Sequence, residues 1–263
     1  MSHSRSQELL YEVDGGVGLV TFNRPQAHNA LTFDMYDRLG EICAGIAEDG
    51  SVRALILTGA GGRAFAAGTD ISLFRDFRTA EQGLAYEARM EAMFDRLERC
   101  PVPTIAAISG ICTGGAAVIA AACDLRLATR TLKYGFPIAR TLANCLSAAN
   151  IARVALLTGV GRALDMLITT RLIEAEEALA IGLVGELHDS PEALMARARA
   201  LAAQIATQAP LTMRAGKEVV RRLRERLAGI DDRDLIALCY GSADFQEGLD
   251  AFLAKRPPRF QGR

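Results

Sequence analysis

The pattern of apolar and polar positions changes about halfway along the chain. In the first half, short apolar runs of strand length alternate with stretches whose apolar residues recur every three or four positions, which is typical of strands alternating with helices. The predicted strands cover residues 18–23, 53–58, 103–108, 125–128 and 132–135. The run at 53–58, RALILT, has no polar alternation, which favours a strand covered on both faces.

Helical periodicity dominates the second half. The first half carries a helix that begins after Thr32, a residue suited to an N-cap, and another over residues 79–98. The later predicted helices cover residues 147–158, 162–169, 191–207, 211–227, 231–240 and 244–254. Strands early and helices late predict a β-rich core followed by a helical tail. The helices of that tail carry apolar stripes, but few strands are predicted for them to cover. This favours packing of the tail against a partner subunit.

One uncharged segment, residues 102–123, is long enough to cross a bilayer. Pro103, Ser109, Gly110, Gly114 and Gly115 interrupt it, and β-branched residues crowd only its first half. A buried strand, a glycine turn and a buried helix from about Gly115 therefore explain the segment better than a membrane span does.

Composition and charge narrow the classes of function. The 263 residues carry 30 Lys and Arg against 31 Asp and Glu, a net charge of −1 that argues against a nucleic-acid-binding domain. Six cysteines without a C-x-x-C pair and only three histidines argue against a structural zinc site. Residues 1–8 are polar and unlike a secretory leader. We therefore expect a cytoplasmic protein with reduced cysteines and no membrane association.

Two glycine-bearing loops follow predicted buried strands. One is FAAGTD at residues 65–70, and the other is GICTGG at residues 110–115, which opens a helix. Small residues let a ligand approach the backbone, and the N–H groups at a helix N-terminus have no intrahelical acceptor. Two such amides directed at one point would form an oxyanion hole. From spacing alone, tight turns that serve close packing are the simpler explanation of both loops.

Five segments in order resemble the enoyl-CoA hydratase/isomerase family, also called the crotonase family. They are LVTFNRPQAHNAL (19–31), ALILTGAGGRAFAAGTDI (54–71), AAISGICTGGAAVIAAACDLRLA (106–128), EEALAIGLV (176–184) and FLAKRPPRF (252–260). The resemblance implies an α/β, crotonase-like (ClpP/crotonase) fold, with a spiral core of repeated ββα units over residues 1–200. A helical trimerisation region would follow over residues 201–263.

The resemblance also implies partners and a site. It implies a homotrimer or a hexamer built as a dimer of trimers, an acyl-CoA thioester of fatty acid metabolism as substrate, and no metal or redox cofactor. The family's two oxyanion amides match Thr69 and Gly115. The residues implied for binding CoA and the acyl group are Gln26, Ala27, His28, Ala66, Ala67, Gly68, Asp70, Ile71, Gly114, Val118, Ile138, Phe252 and Lys255. Phe252 and Lys255 match residues that reach the CoA of a neighbouring subunit, although a solvated lysine explains Lys255 equally well.

The two glutamates that the family uses for hydration are missing. The matching positions are Val118, three residues after the glycine amide, and Ile138, which follows Pro137. One general acid or base contributes roughly 10²–10⁴-fold, so the loss of both should cripple ordinary water addition.

Acid or base groups that replace the two missing glutamates could come from two segments. The segment after Ile138 differs from the family's glycine-rich loop and offers Arg140 and Asn144 as candidate catalytic residues, although a turn role explains Asn144 equally well. Glu87 and Glu91, four residues apart on one predicted helix, could also approach the pocket. A solvated helix face is the favoured interpretation of that pair.

Three hypotheses follow. The first is an active acyl-CoA enzyme of the hydratase/isomerase type, whose thioester is polarised by the Thr69 and Gly115 amides. The second is decarboxylation of a malonyl-type CoA or hydrolysis of a thioester, since decarboxylation needs a stabilised enolate but no base to start it. The third is an acyl-CoA-binding pseudoenzyme or oligomeric scaffold.

Overall fold

A computed structural model describes residues 5–49 and 51–262. Its strands are β1 Leu9–Asp14, β2 Val17–Phe22, β3 Ala54–Gly59, β4 Ala64–Ala66, β5 Thr104–Ile108, β6 Ile111–Thr113, β7 Leu125–Thr129, β8 Lys133–Gly135, β9 Ile173–Glu174 and β10 Glu186–His188. Its helices are α1 Arg5–Glu8, α2 Phe33–Asp49, α3 Ala80–Glu98, α4 Gly115–Ala122, α5 Ile138–Thr141, α6 Ala148–Thr158, α7 Val160–Thr169, α8 Ala175–Ala180, α9 Pro191–Ala206, α10 Pro210–Ala228, α11 Arg233–Tyr240 and α12 Ala243–Leu253. Short 3₁₀ helices cover Pro25–Ala27 and Ile71–Phe74.

The strands form two sheets. The larger has six strands in the order β1-β2-β3-β5-β7-β10, and the smaller has four in the order β4-β6-β8-β9. Pairing is parallel except between β1 and β2 and between β8 and β9. Three times in succession, a strand of the large sheet leads to a strand of the small sheet and then to a helix. The expected α/β core of repeated ββα units is therefore confirmed.

The uncharged segment 102–123 is interior, as predicted. It forms β5, β6 and α4, and every residue of β5 is buried because helices cover the sheet from both faces. In the part of the chain that the structure describes, no helix combines the length and apolar character needed to cross a bilayer.

Capping residues begin helices where the sequence indicates. The Thr79 hydroxyl accepts a hydrogen bond from the Gln82 amide while the Gln82 side chain accepts from the Thr79 amide, which forms a capping box on α3. The Ser147 hydroxyl likewise accepts from the Asn150 amide and caps α6.

The C-terminal helices pack against two different parts of the chain. Helix α9 covers the outer face of the large sheet through Leu194, Ala198 and Ala202, so the predicted boundary at residue 200 falls inside a core helix. Helices α11 and α12 fold back onto α3 and onto the 3₁₀ helix Ile71–Phe74 of the same chain. The part from 201 onward thus builds the interior of its own subunit, and its role in trimer formation stays a prediction.

Candidate active site

The two glycine loops meet. Gly68 has a φ of +98° and Gly114 a φ of +56°, a region that favours glycine. A Cβ on Gly68 would lie 3.0 Å from the Thr113 carbonyl oxygen and 3.5 Å from the Gly114 Cα. The Thr113 hydroxyl donates a hydrogen bond of 3.1 Å to the Ala67 carbonyl. These contacts bring Thr69 and Gly115, the residues that follow the two glycines, to one wall of a shared cavity.

The Thr69 and Gly115 amides are unpaired in the described chain. Leu31 forms a β-bridge opposite Thr69. In this bridge the Leu31 amide donates to the Gly68 carbonyl and the Asp70 amide donates to the Leu31 carbonyl, so the Thr69 N–H takes no part. Gly115 is the first residue of α4, where an N–H has no intrahelical acceptor. Neither amide has an acceptor in residues 5–49 and 51–262.

Gly115 also has a steric reason to be glycine. A Cβ at this position would lie 2.1 Å from the Tyr36 hydroxyl oxygen, much closer than atoms can approach. Tyr36 is buried beneath the loop, and its hydroxyl lies 2.9 Å from the Thr69 hydroxyl. The phenol of α2 therefore occupies the space that a side chain on α4 would need.

Three hydroxyls form a cluster at Thr69. The Thr69 hydroxyl lies 2.9 Å from the Tyr36 hydroxyl and 2.9 Å from the Tyr86 hydroxyl. Burial raises the pKa of both phenols, so both stay protonated at neutral pH. The three hydroxyls carry three protons but form only two hydrogen bonds with one another. The buried Tyr36 donates to Thr69, its one acceptor among the described residues. One proton of Thr69 or Tyr86 therefore has no acceptor among the described residues.

The cavity has a volume of about 100 Å³ and is largely apolar. Val118 and Ile138, where the resemblance implied substrate contact, both line it. Asn144 also lines it, from the loop after α5. Arg140 does not: its side chain is exposed on α5 and is absent from the described cavity wall, so the structure does not support a catalytic role for it.

Glu87 lies in the cavity wall, which makes its assignment to a solvated helix face wrong. Its side chain is on the buried face of α3, and the residue is only 6% exposed. The Tyr240 hydroxyl donates a hydrogen bond of 2.7 Å to Glu87 Oε1, and the Asn144 amide donates one of 3.2 Å to the Tyr240 oxygen. Burial raises the pKa of Glu87 to about 7, and the nearby Asp232 and Glu91 carboxylates add to the rise.

Glu91, in contrast, belongs to an ion-pair cluster behind the site. Its carboxylate accepts hydrogen bonds of 2.6 and 2.7 Å from the guanidinium of Arg153, a side chain that is fully buried. The periodicity of α3 separates the two glutamates. Glu87 shares the stripe of Gly83, Met90 and Phe94, all buried, whereas Glu91 lies at its edge.

Glu87→Gln should stabilise the protein at pH 8 and change its stability little at pH 5. The pKa of Glu87 is about 7 when folded against an ordinary 4.5, so the folded state binds more protons than the unfolded state between these values. Stability is then lost as the pH rises through that window, and a neutral Gln avoids the loss. Urea denaturation should show a gain of up to about 3 kcal/mol at pH 8. Glu41→Gln, an exposed change on α2, is the control, and a pH-independent difference for Glu87→Gln would contradict the expectation.

Three of the residues implied for CoA form a turn beside a loop of the cavity wall. Gln26 and Ala27 form a 3₁₀ turn, and exposed His28 ends it with a φ of +49°. The Ala67 amide donates to the His28 carbonyl at 3.0 Å, so this turn lies beside the loop that leaves β4 at Ala66.

Beyond Thr69, Asp70 caps the turn that starts at Ile71, a cavity residue. Its carboxylate pairs with Arg24 at 3.0 Å, and that pair together with hydrogen bonds from Ser72 holds the Asp70 pKa below its usual range despite partial burial. Phe252 and Lys255 are exposed at the end of α12 and are not in the described cavity wall, so their reach toward a neighbouring subunit stays a prediction.

Sequence reasoning missed the three tyrosines of the site. Tyr36, Tyr86 and Tyr240 come from α2, α3 and α11, and none belongs to a motif. A signal for Glu87 was present, because residues 83, 87, 90 and 94 follow the helical repeat of the buried face.

Comparison with known proteins identifies the family of the chain. The profile of the family described as "Enoyl-CoA hydratase/isomerase" matches residues 12–263. The chain is 34% identical over 253 residues to a short-chain-enoyl-CoA hydratase of Clostridium acetobutylicum, covering 94% of this chain and 95% of that protein.

Two solved structures extend the likeness. An enoyl-CoA hydratase/carnithine racemase from Magnetospirillum magneticum superposes with a TM-score of 0.79 at 35% identity, covering 98% of this chain and 97% of that one. A methylmalonyl-CoA decarboxylase in complex with 2-nitronate-propionyl-CoA superposes with a TM-score of 0.88 at 26% identity, covering 98% of this chain and 99% of that one. This chain is a member of the enoyl-CoA hydratase/isomerase family, and it has the crotonase fold of that family.

Proposed function

We propose that this protein is an acyl-CoA enzyme of the hydratase/isomerase type, which stabilises a thioester enolate between the Thr69 and Gly115 amides. The observation that carries the proposal is the meeting of two loops whose N–H groups have no acceptor in the described chain. Donors fixed in advance at the place where negative charge develops are worth far more in an enclosed site than in water. The spare proton of the Thr69–Tyr86 hydroxyl pair is a third donor to the same oxygen.

A small acyl group suits the cavity. Its volume of about 100 Å³ is below the roughly 150 Å³ that accommodates a benzene molecule in an engineered protein cavity. Apolar walls at Val118 and Ile138 favour an unbranched hydrocarbon chain of a few carbons. The CoA portion would lie over the turn at Gln26–His28 and the segment 66–71, and Phe252 and Lys255 would contact the CoA of a neighbouring subunit in a trimer or hexamer. The proposal needs no metal or redox cofactor.

Decarboxylation is the second candidate. The superposition on a methylmalonyl-CoA decarboxylase favours it, and so do the apolar residues at the two positions where hydration needs glutamates. A substrate carboxylate would lose hydration against Val118 and Ile138. Because Arg140 is exposed, it would not offset that loss, and carbon dioxide would leave with formation of the same enolate.

Hydrogen exchange at the substrate α-carbon tests enolate formation without assuming the final product. The protein should bind butyryl-CoA in calorimetry. In D₂O it should catalyse deuterium incorporation at C2 of butyryl-CoA, which proton NMR measures. Crotonyl-CoA absorbance and carbon dioxide release from methylmalonyl-CoA, measured on the same preparation, then separate hydration from decarboxylation. Binding without exchange or turnover of any of these thioesters would favour the acyl-CoA-binding pseudoenzyme instead.

A further inference from the structure

We propose that Glu87 is the residue that moves the substrate proton in this site, and that Tyr240 and Asn144 position it from the C-terminal part of the same chain. The inference rests on the proposed enolate chemistry and supplies the acid/base group that Val118 and Ile138 cannot provide.

Elimination within the cavity points to Glu87. Among the described residues of the cavity wall it is the one carboxyl, and no His, Lys or Arg accompanies it. Thr69 and Tyr86 present protonated hydroxyls, and the raised pKa of Tyr86 makes it a poor base at neutral pH. The Cys145 thiol also lines the wall, but its hydrogen bond with Cys239 and its burial raise its pKa, so it stays protonated. Proton abstraction next to a thioester therefore has a single suitable acceptor in this wall.

The hydrogen bonds fix one oxygen of Glu87 and leave the other open. Tyr240 has one proton, and because the Asn144 amide donates to the Tyr240 oxygen, that proton is directed to Glu87 Oε1. No donor in the described residues binds Glu87 Oε2. A carboxyl in a cavity wall that is anchored through one oxygen, with no donor in the described chain on the other, can transfer a proton to or from a substrate within hydrogen-bond reach.

The charges around Glu87 tune it to neutral pH. The titratable groups that face it are Glu91 and Tyr86 on α3, Tyr36 on α2, Cys145 in the loop before α6, and Asp232 and Tyr240 at α11. None of them is a cation, and Glu87 forms no ion pair within residues 5–49 and 51–262, so no counter-ion there holds the carboxylate ionised. Burial is the largest influence and raises the pKa to about 7, close to the value at which a group serves as both acid and base.

The step balances without a co-reactant. Glu87 Oε2 takes the α-proton of the thioester, the C–H electron pair enters the C–C–O system, and the enolate oxygen receives hydrogen bonds from the Thr69 and Gly115 amides. The neutral Glu87 then exchanges its proton with solvent and delivers a solvent-derived proton to the α-carbon, which gives hydrogen exchange. Alternatively, it delivers the proton to the γ-carbon of an unsaturated chain, which shifts the double bond. No electron is gained or lost overall.

The test uses the full chain and three variants, Glu87→Gln, Tyr240→Phe and the exposed control Glu81→Gln. Glu87→Gln should lower the rate of α-hydrogen exchange in butyryl-CoA by about 10²–10⁴-fold and leave the calorimetric Kd within about twofold. Glu81→Gln should change neither quantity. Tyr240→Phe removes a donor that lowers the pKa of Glu87, so the ascending limb of the pH–rate profile should move above its wild-type midpoint near pH 7.

The outcomes separate this inference from the proposed function. If the wild-type protein neither binds nor exchanges butyryl-CoA, the enolate proposal fails and the role of Glu87 fails with it. If wild type binds and exchanges but Glu87→Gln exchanges within about threefold of it, only the role of Glu87 is overturned. An unmoved pH profile in Tyr240→Phe, with the fold intact by circular dichroism, would overturn the positioning role of Tyr240.

Discussion

Removing the Gly115 N–H should lower the rate of enolate formation by about 10²–10³-fold, the loss that deletion of one oxyanion donor produces. The variant is Gly115→Pro made together with Tyr36→Phe. Proline deletes the N–H and suits the first position of a helix, where it breaks no intrahelical bond. The second change is needed because a Cβ at Gly115 would lie 2.1 Å from the Tyr36 hydroxyl oxygen. Deuterium exchange into butyryl-CoA measures the effect.

The matched control is Gly115→Ala with the same Tyr36→Phe change. It introduces the same Cβ and removes the same hydroxyl, but it retains the N–H. The ratio of the two rates therefore isolates the amide from the steric change and from the loss of the phenol. Equal rates in the two double variants, with both proteins folded, would mean that the Gly115 amide does not contact the developing negative charge.

The contact between Gly115 and Tyr36 illustrates what the sequence could and could not predict about the site. Local spacing was enough for the loops, because a strand that ends in glycine and leads into a helix leaves amides open wherever it occurs. The assignment of Gly115 came from the resemblance of its loop to the family, which depends only on neighbours along the chain. The phenol that forbids a side chain there could not be predicted in this way, because Tyr36 is 79 positions earlier on a different helix.

The fold was predicted in the same uneven way. Long periodic segments gave helices close to their observed bounds, as with the predicted helix 79–98 against Ala80–Glu98. The short strands Ala64–Ala66 and Ile111–Thr113 were not predicted. A segment of three residues has too few positions to show a period, and its identity as a strand depends on a partner elsewhere in the chain. These two strands pair with each other and bring the two loops together.

Glu87 shows that a charged residue cannot be assigned to the surface from its spacing alone, without knowledge of its burial. A pair of glutamates four residues apart usually marks a solvated face, and only tertiary packing distinguishes the two members. Helix α11, more than 140 residues later, covers Glu87 and supplies the Tyr240 hydroxyl. The C-terminal helices thus contribute to the site within their own subunit, whatever they also contribute to assembly.

Replacing Arg153 should destabilise the scaffold behind this site. Arg153 is fully buried, and its guanidinium binds the carboxylates of Glu91 and Glu98 on α3 and the side-chain oxygen of Asn150. Arg153→Met fills similar space but removes the ion pair of Glu91 and leaves Glu98 paired with Arg224 alone. Breaking a buried pair from one side costs about 3–5 kcal/mol of unfolding free energy, which urea denaturation at pH 7 measures.

The pH dependence of that loss has a defined sign. Burial already raises the pKa of Glu98, and the Arg153 cation opposes the rise. Without Arg153 the folded-state pKa of Glu98 increases further, so the deficit should shrink as the pH falls and Glu98 becomes protonated. Arg130→Met is the matched control, because Arg130 also bridges two carboxylates, those of Glu176 and Asp189, but on the exposed surface. Its denaturation midpoint should stay near that of wild type. Equal destabilisation by the two variants, or a deficit in Arg153→Met that does not change with pH, would mean that the buried charges do not hold α3 and α6 together.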